Sequence, residues 1–89
     1  MLNSNLPFID LHGETREVSR ILVNSFIKES IIQRNYKIVV VHGRGTGALK
    51  KEVHDLLKHH KAVERFYLDF MNDGCTIVEL KQNIDKSFV

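Results

Sequence analysis

The stretch VVVHGRGTGALKKEV, residues 39–53, has the pattern of a strand, a glycine loop and a helix in immediate succession. Residues 38–41 are all β-branched, which is typical of a strand covered on both faces. Three glycines follow within five residues. Behind them, apolar residues recur at helical spacing, at Leu49, Val53, Leu56 and Leu57. The stretch therefore predicts a strand that turns through the glycines into a helix.

The flanking sequence extends this unit to six elements. In chain order we predict a strand at 8–11, a helix from about 15 to 34, the strand at 38–41, a helix from about 49 to 60, a strand at 65–70 and a last strand at 76–80. Thr15 is the expected N-cap of the first helix, and Asn72, Asp73 and Gly74 supply the turn before the last strand. The order βαβαββ predicts an α/β fold of the α+β type, a two-layer sandwich of two helices on a four-stranded mixed sheet.

Length and composition indicate one small domain. The chain has 89 residues, of which 43% are hydrophobic and 27% charged, which is enough for a single core. We expect an N-terminal leader at 1–7, the domain at 8–80 and a flexible tail at 81–89.

Cysteine content and net charge limit the cellular compartment and the kinds of partner that we expect. Cys75 is the one cysteine, which excludes an internal disulfide framework and a multi-cysteine zinc site and fits a reducing compartment. The N-terminus lacks a signal-peptide pattern, and no apolar run approaches the roughly 18 residues of a membrane span. We expect a cytoplasmic monomer without membrane contact. The net charge of +2 and the pI near 8.8 permit a polyanionic partner without demanding one.

Polar side chains follow the first two predicted strands. A strand–helix–strand unit is normally parallel and right-handed, so the carboxyl ends of both strands lie at the same edge of the sheet. His12 and His42 should therefore share that edge, with Asp10 on the same face as His12 because side chains two apart on a strand point the same way. With Arg44, these residues predict a polar cluster where ligands of open α/β sheets tend to bind.

The glycine loop matches neither of the two common phosphate-binding fingerprints. It lacks the Gly-Lys-Ser/Thr ending of a P-loop, and Ala48 stands where a dinucleotide fingerprint needs its third glycine. A G-x-G-x-G turn that leads into a helix can still bind an anion on backbone N–H groups, with Arg44, Lys50 and Lys51 nearby. The alternative is a tight structural turn without a ligand.

Two motifs taken together resemble a known family. IDLHG at residues 9–13 and HGRGTG at residues 42–47, at this spacing and in this element order, resemble the Small MutS-Related (Smr) domain family over residues 8–80. The resemblance implies a fold similar to the C-terminal domain of translation initiation factor three. It also implies an endonuclease that cleaves RNA or nicks DNA, with links to ribosome rescue or to DNA repair and recombination.

The resemblance assigns roles to matching residues. Asp10, His12, His42 and Arg44 are the implied catalytic residues. The motif residues implied to bind phosphate are Gly43, Arg44, Gly45 and Gly47. Their position in or next to the loop makes Thr46, Lys50 and Lys51 further candidates for phosphate contact. The glycine-rich turn that the family places before the final strand is reduced here to Gly74 and Thr76.

A mechanism follows as a hypothesis. His12, oriented by Asp10, acts as general base toward a ribose 2′-hydroxyl, and His42 acts as the acid. Arg44 and the loop amides bind the phosphate. The competing hypothesis is a module that binds RNA, DNA or the ribosome without cutting it.

We expect no structural metal and no required cofactor. Mg²⁺ or Mn²⁺ on Asp10 remains open, because one carboxylate plus substrate phosphates is a common magnesium arrangement. His54, His59 and His60 are interpreted as surface histidines. Tyr36 and Tyr67 could stack on bases, but packing is the simpler interpretation.

Overall fold

The computed structural model describes residues 5–83. It contains two helices and four strands in the order βαβαββ, which confirms the predicted fold class. The elements are β1 (Phe8–Asp10), α1 (Arg16–Ile32), β2 (Lys37–Val41), α2 (Ala48–Lys58), β3 (Val63–Leu68) and β4 (Cys75–Leu80).

The four strands form one mixed sheet in the spatial order β1-β2-β4-β3. β1 runs parallel to β2, whereas β4 is antiparallel to both of its neighbours. Asp10 pairs with Val41, so β1 and β2 end side by side and the residues that follow them meet at one edge. The connections β1–α1–β2 and β2–α2–β3 cross the sheet in the same direction. Because such connections are normally right-handed, both helices lie on the same face of the sheet.

The core lies between the helices and the sheet. Ile38 and Val40 pack with the buried faces of the helices, while Val39 belongs to a second cluster with Cys75 and Ile77 on the opposite face. Alternate residues of β2 are therefore buried on both sides, as its run of β-branched residues predicts. The largest fully buried side chains of the main cluster are Leu11, Ile27, Ile31, Ile38 and Leu57.

Capping defines the ends of α1. The Thr15 hydroxyl accepts a hydrogen bond from the Val18 backbone N–H at 3.1 Å, which confirms the predicted N-cap. The helix ends at Ile32, and Arg34 adopts a left-handed conformation with φ of 63°. The predicted end at about residue 34 is therefore too late, because the chain has already turned toward β2.

The predicted strand at 65–70 is wrong at its C-terminal end. β3 stops at Leu68, and the Asp69 backbone N–H closes the hairpin on the Cys75 carbonyl at 2.9 Å. The next two residues, Phe70 and Met71, form the hairpin tip and are 97% and 70% exposed. The predicted strand is too long because Phe70 continues the alternation of apolar and polar residues. In the structure Phe70 lies in the six-residue turn 69–74 and not in the sheet.

The two chain ends lie partly outside the described residues. Of the predicted leader, residues 1–4 are outside, whereas Leu6 packs on the second cluster and the Pro7 carbonyl accepts from the Val39 N–H at 2.9 Å. Of the predicted tail, residues 84–89 are outside, and the Lys81 N–H donates to the Ala62 carbonyl. Neither helix found within residues 5–83 combines the length and apolar character needed to cross a membrane.

Candidate functional site

The glycine loop joins the end of β2 to the start of α2. Gly43 and Gly47 have φ angles of 81° and 84°, in the left-handed region that costs other residues about 1–2 kcal/mol. A Cβ at either position would meet no atom within 4 Å. Backbone conformation, and not crowding, is therefore the reason for glycine here, and the space beside the loop is open.

The N-cap residue of α2 provides no side-chain cap. Gly47 is its N-cap and has no side chain to offer, whereas the Thr46 hydroxyl accepts from the Ala48 N–H at 3.3 Å. The first turn of any helix has N–H groups without intrahelical partners, and these groups carry the positive end of the helix dipole. The first turn of α2 can thus donate to an external anion.

The two helix N-termini face a single cleft. A cavity of about 460 Å³ is lined by residues 14–17, at the start of α1, and residues 42–49, which comprise the glycine loop and the start of α2. Arg16 and Arg44 contribute cationic side chains, opposed by Glu14 and Glu17. The structure brings the predicted phosphate-binding residues 43–47 together along one wall of this cleft.

The hairpin turn at 69–74 is fixed against the glycine loop. The Gly74 carbonyl accepts from the backbone N–H groups of His42 and Gly43 at 3.0 and 2.9 Å. A Cβ on Gly74 would lie 3.2 Å from the Asn72 Oδ1 and 3.4 Å from the Gly43 Cα, so little room for a side chain remains here. The Arg44 Nε lies 2.7 Å from the Asp73 Oδ1, and both side chains are about two-thirds exposed or more, at 71% and 67%. Such an exposed pair is weakly held and can exchange partners.

A chain of hydrogen bonds through His42, Thr76 and His54 supports the glycine loop. His42 Nδ1 lies 2.9 Å from the Gly43 carbonyl, and its Nε2 lies 2.8 Å from the Thr76 hydroxyl. His54 Nε2 lies 2.7 Å from the same hydroxyl. Because a carbonyl only accepts, neutral His42 donates through Nδ1 and accepts from Thr76 through Nε2. The Thr76 oxygen then accepts from His54, and both ring nitrogens of His42 are engaged.

Burial controls the protonation of both histidines. It lowers the pKa of His42 below the ordinary value of 6.5; the Gly43 carbonyl opposes this shift and the Lys50 charge reinforces it. Burial also lowers the pKa of His54, and the charges of His42 and Lys50 add to that effect. Both rings are therefore neutral near pH 7, as the hydrogen-bond chain requires.

Acid should destabilise the fold through these histidines. A histidine with a lower pKa in the folded state binds fewer protons there, so lowering the pH through about 6.5 favours the unfolded chain. We expect the melting temperature to fall from pH 7.5 to about pH 5.5, and to fall less in His54→Gln. His59→Gln, at an exposed position, is the matched control. An equally steep decline in His54→Gln and the unmutated protein would contradict this prediction.

Asp10 and His12 lie at the end of β1, but not in the predicted pairing. The Asp10 Oδ1 accepts from the backbone N–H of His12 at 2.9 Å. Within residues 5–83 no hydrogen bond reaches the His12 ring, which belongs to an exposed residue. The predicted orientation of the ring by Asp10 is therefore corrected: the carboxylate closes the turn of the backbone, because a side chain two residues back reaches the N–H more readily than the ring.

Asp10 and Arg44 nevertheless share one edge of the sheet. Burial raises the pKa of the Cys75 thiol, the Asp69 carboxylate adds to the shift, and the charges of Asp10 and Arg44 also act on the thiol. Cys75 pairs with Val41, the residue beside Asp10 in the sheet. The parallel pairing thus brings the two sequence motifs to a common edge, as predicted.

Lys50 and Lys51 lie beyond the cleft, in a second groove along α2. This groove has a volume of about 870 Å³ and is also lined by Arg16, Lys58 and His54, with Glu52 and Asp55 as its acidic residues. It shares Arg16 and Ala48 with the first cleft, so the basic side chains continue from the glycine loop along the helix. The arrangement suits a ligand with several phosphates in a row.

The interpretation of His54 as a surface histidine is wrong. It is partly buried, its ring centroid lies 5.0 Å from that of Phe66, and it bonds to Thr76. Its position next to buried Val53 was the available signal, but the contact to Thr76 joins residues 22 apart in sequence. His59 is exposed as expected, whereas His60 is only partly so, and its Nδ1 accepts from the Ala62 N–H. No cluster of three or more potential metal ligands occurs in the described range 5–83.

Comparison with known proteins identifies the family. A model of the Smr domain matches residues 9–81, nearly the whole chain. The chain belongs to the Smr domain family. Its two sequence motifs and its fold are thus those of an Smr domain.

Curated relatives contain this domain as a small part of a longer chain. Endonuclease MutS2 of Geobacillus sp. (strain WCH70) is 37% identical over 76 residues, and that of Solidesulfovibrio magneticus is 38% identical over the same length. In both comparisons the aligned region covers 82% of this Smr domain chain and 10% of the relative. The chain therefore spans about a tenth of the length of these relatives.

Solved structures agree with the fold. The Smr domain of Thermus thermophilus MutS2 superposes with a TM-score of 0.83 at 28% identity, covering 85% of this chain and 99% of that one. The stand-alone small MutS-related protein YdaL of Escherichia coli gives a TM-score of 0.79 at 19% identity, covering 83% and 63%. The first structure supports membership of the family, and the second supports the fold alone.

Proposed function

We propose that this Smr domain is an endonuclease that binds a nucleic-acid strand through its phosphates and cleaves RNA or nicks DNA. One observation carries the proposal: two helix N-termini, the open glycine loop and Arg44 converge on one cleft. Asp10 and His12 do not line this cleft, but they lie where β1 ends beside β2, at the edge of the sheet from which the glycine loop starts. The names of the MutS2 relatives support the reaction class.

Phosphate recognition uses backbone and side-chain donors together. Backbone N–H groups at the start of α2 supply donors, and Arg44 adds a charged fork suited to phosphate oxygens. Lys50 and Lys51 extend the cationic path along the next groove. A strand that enters the cleft would therefore meet positive charge at more than one phosphate.

Cleavage rests on His12. Its exposed ring can accept the proton of a ribose 2′-hydroxyl, or of water, as that oxygen bonds to phosphorus. The bond from phosphorus to the leaving oxygen then breaks, and that oxygen takes its proton from the protonated His12 or from solvent water. The Asp10 bond to the His12 backbone fixes the turn that carries the ring. We assign His42 a positioning role instead of the acid role suggested by the sequence, because both of its ring nitrogens are bonded and it is 5% exposed. His42 orients the Gly43 peptide of the phosphate loop.

The proposed mechanism does not require a metal ion, although Asp10 offers a ligand for one. Asp10 offers one exposed carboxylate, one oxygen of which is bonded to the His12 N–H. Together with substrate phosphates it fits a Mg²⁺ or Mn²⁺ that would offset negative charge on the phosphate. His12 and Arg44 can perform their roles without it.

A second candidate function is binding without cleavage, to RNA, DNA or a ribosome. The observation that favours it is the His12 ring, which no side chain within residues 5–83 holds in place. A catalytic base is usually oriented by a third group. Ribosome rescue and DNA repair are the cellular settings that fit either function.

The test is a cleavage assay with end-labelled single-stranded RNA and the matching DNA, in EDTA or in Mg²⁺. We expect RNA to be cut in EDTA, because a 2′-hydroxyl attack with His12 as base needs no metal. Cutting of both strands only in Mg²⁺ would assign the chemistry to a metal on Asp10. Salt-dependent binding without any cutting would favour the second candidate, and the absence of salt-dependent binding would exclude both.

A further inference from the structure

We propose that Phe70 and Met71, the tip of the β3–β4 hairpin, contact an unpaired base of the strand whose phosphate occupies the glycine loop. The inference rests on the proposed function and adds to it a preference for single-stranded nucleic acid.

The exposure of these side chains is extreme for their type. Phe70 is 97% exposed and Met71 70%, so the folded domain gains almost nothing from the apolar surface of Phe70. A solvated phenyl ring at the end of a turn contributes little to stability. It does present a flat apolar face on which any base can stack.

The turn that carries the tip is held by its own hydrogen bonds. The Asp69 Oδ1 accepts from the Met71 N–H at 2.8 Å, and the Asn72 N–H donates to the Asp69 carbonyl at 3.2 Å. The Asn72 Oδ1 accepts from the Gly74 N–H at 3.0 Å. Because the backbone is fixed, little entropy is lost when a ligand packs on the tip.

The same turn is tied to the phosphate loop. The Gly74 carbonyl joins it to the backbone of His42 and Gly43, and Asp73 pairs with Arg44. The tip is therefore only a few residues from the candidate phosphate site. We expect a base one or two nucleotides away from the bound phosphate to be the one that reaches the tip.

The charge beside the turn is compatible with a polyanion. The two grooves together hold five cationic and four acidic side chains, and the cationic ones are Arg16, Arg44, Lys50, Lys51 and Lys58. The two tyrosines are less suitable than Phe70 for stacking on a base. Tyr36 packs on the core, and the Tyr67 hydroxyl donates a hydrogen bond to Glu79 at 2.8 Å. An aromatic tip beside a cationic cleft matches the stacking and charge used to bind single strands.

The experiment compares a short single-stranded oligonucleotide with a uniformly abasic strand of the same length and charge. At fixed salt we expect Phe70→Ala to bind the oligonucleotide about tenfold more weakly, since stacking is the interaction removed. We expect the abasic strand to bind the unmutated protein and Phe70→Ala equally, and the salt slope to stay unchanged. Met71→Ala should show the same pattern with a smaller loss.

Ile21→Ala is the matched control, because Ile21 is a 64% exposed apolar residue of α1 that lines neither cleft. Equal binding of the oligonucleotide by Phe70→Ala and the unmutated protein would overturn the inference and leave the proposed function standing. A loss of the same size on the abasic strand would also overturn it. An unmutated protein that binds neither strand would overturn both.

Discussion

Replacement of His12 by alanine is expected to lower the cleavage rate by about 10²- to 10⁴-fold, the usual contribution of a general base. The affinity for the strand should stay within a factor of about two, because phosphate contacts dominate binding and His12 is not among the residues that line the phosphate cleft. The Asp10 bond goes to the His12 backbone, so alanine keeps the turn intact. Single-turnover cleavage and equilibrium binding, measured on the same labelled strand, separate the two effects.

His59→Ala is the matched control, since His59 is an exposed histidine on the C-terminal side of α2. It should leave cleavage and binding unchanged. If His12→Ala cuts as fast as the unmutated protein, His12 is not the base and the binding-only function becomes the better one. If affinity falls together with rate, His12 contacts the strand instead of the reacting proton.

Replacement of Arg44 by alanine is expected to weaken binding by roughly 10- to 100-fold, as for loss of a charge-assisted hydrogen bond. Asp73→Asn should act in the opposite direction, by up to about fivefold, because its carboxylate holds the Arg44 Nε at 2.7 Å in an exposed pair and competes with phosphate. Arg44→Lys should restore only part of the affinity, since lysine keeps the charge without the planar fork. Titration at two salt concentrations measures all three.

The salt dependence identifies the cause. Arg44→Ala should reduce the slope of log affinity against log salt by about one phosphate contact, whereas Asp73→Asn should leave it or raise it slightly. Weaker binding by Asp73→Asn would mean that the ion pair builds the site by fixing Arg44. Unchanged binding by Arg44→Ala would remove phosphate recognition from this side chain.

Much of the fold could be predicted because its signals are local. The β-branched residues 38–41 gave a strand buried on both faces, and Thr15 gave the cap of α1. The parallel pairing of β1 and β2 followed from a general rule of chain handedness. The failure at Phe70 was also local: a period of two continued for two residues past the last ladder partner, Leu68.

The contacts within the site were less predictable. Asp10 was expected at the His12 ring and bonds to the His12 backbone instead. His54 was expected at the surface and bonds to Thr76. Both outcomes depend on which donor lies nearest after folding, and spacing along the chain does not encode that choice.

The sequence by itself determined the order of elements, the two motifs and the glycines at 43 and 47, because strand and helix periods and positive φ angles are properties of short segments. Only the tertiary structure decided that the hairpin turn at 69–74 contacts the glycine loop and that Asp73 forms an ion pair with Arg44. It also decided that His42 and His54 form hydrogen bonds with the same hydroxyl, that of Thr76. These contacts join residues 22 to 34 positions apart, and their geometry is set by the packing of β4 between β2 and β3.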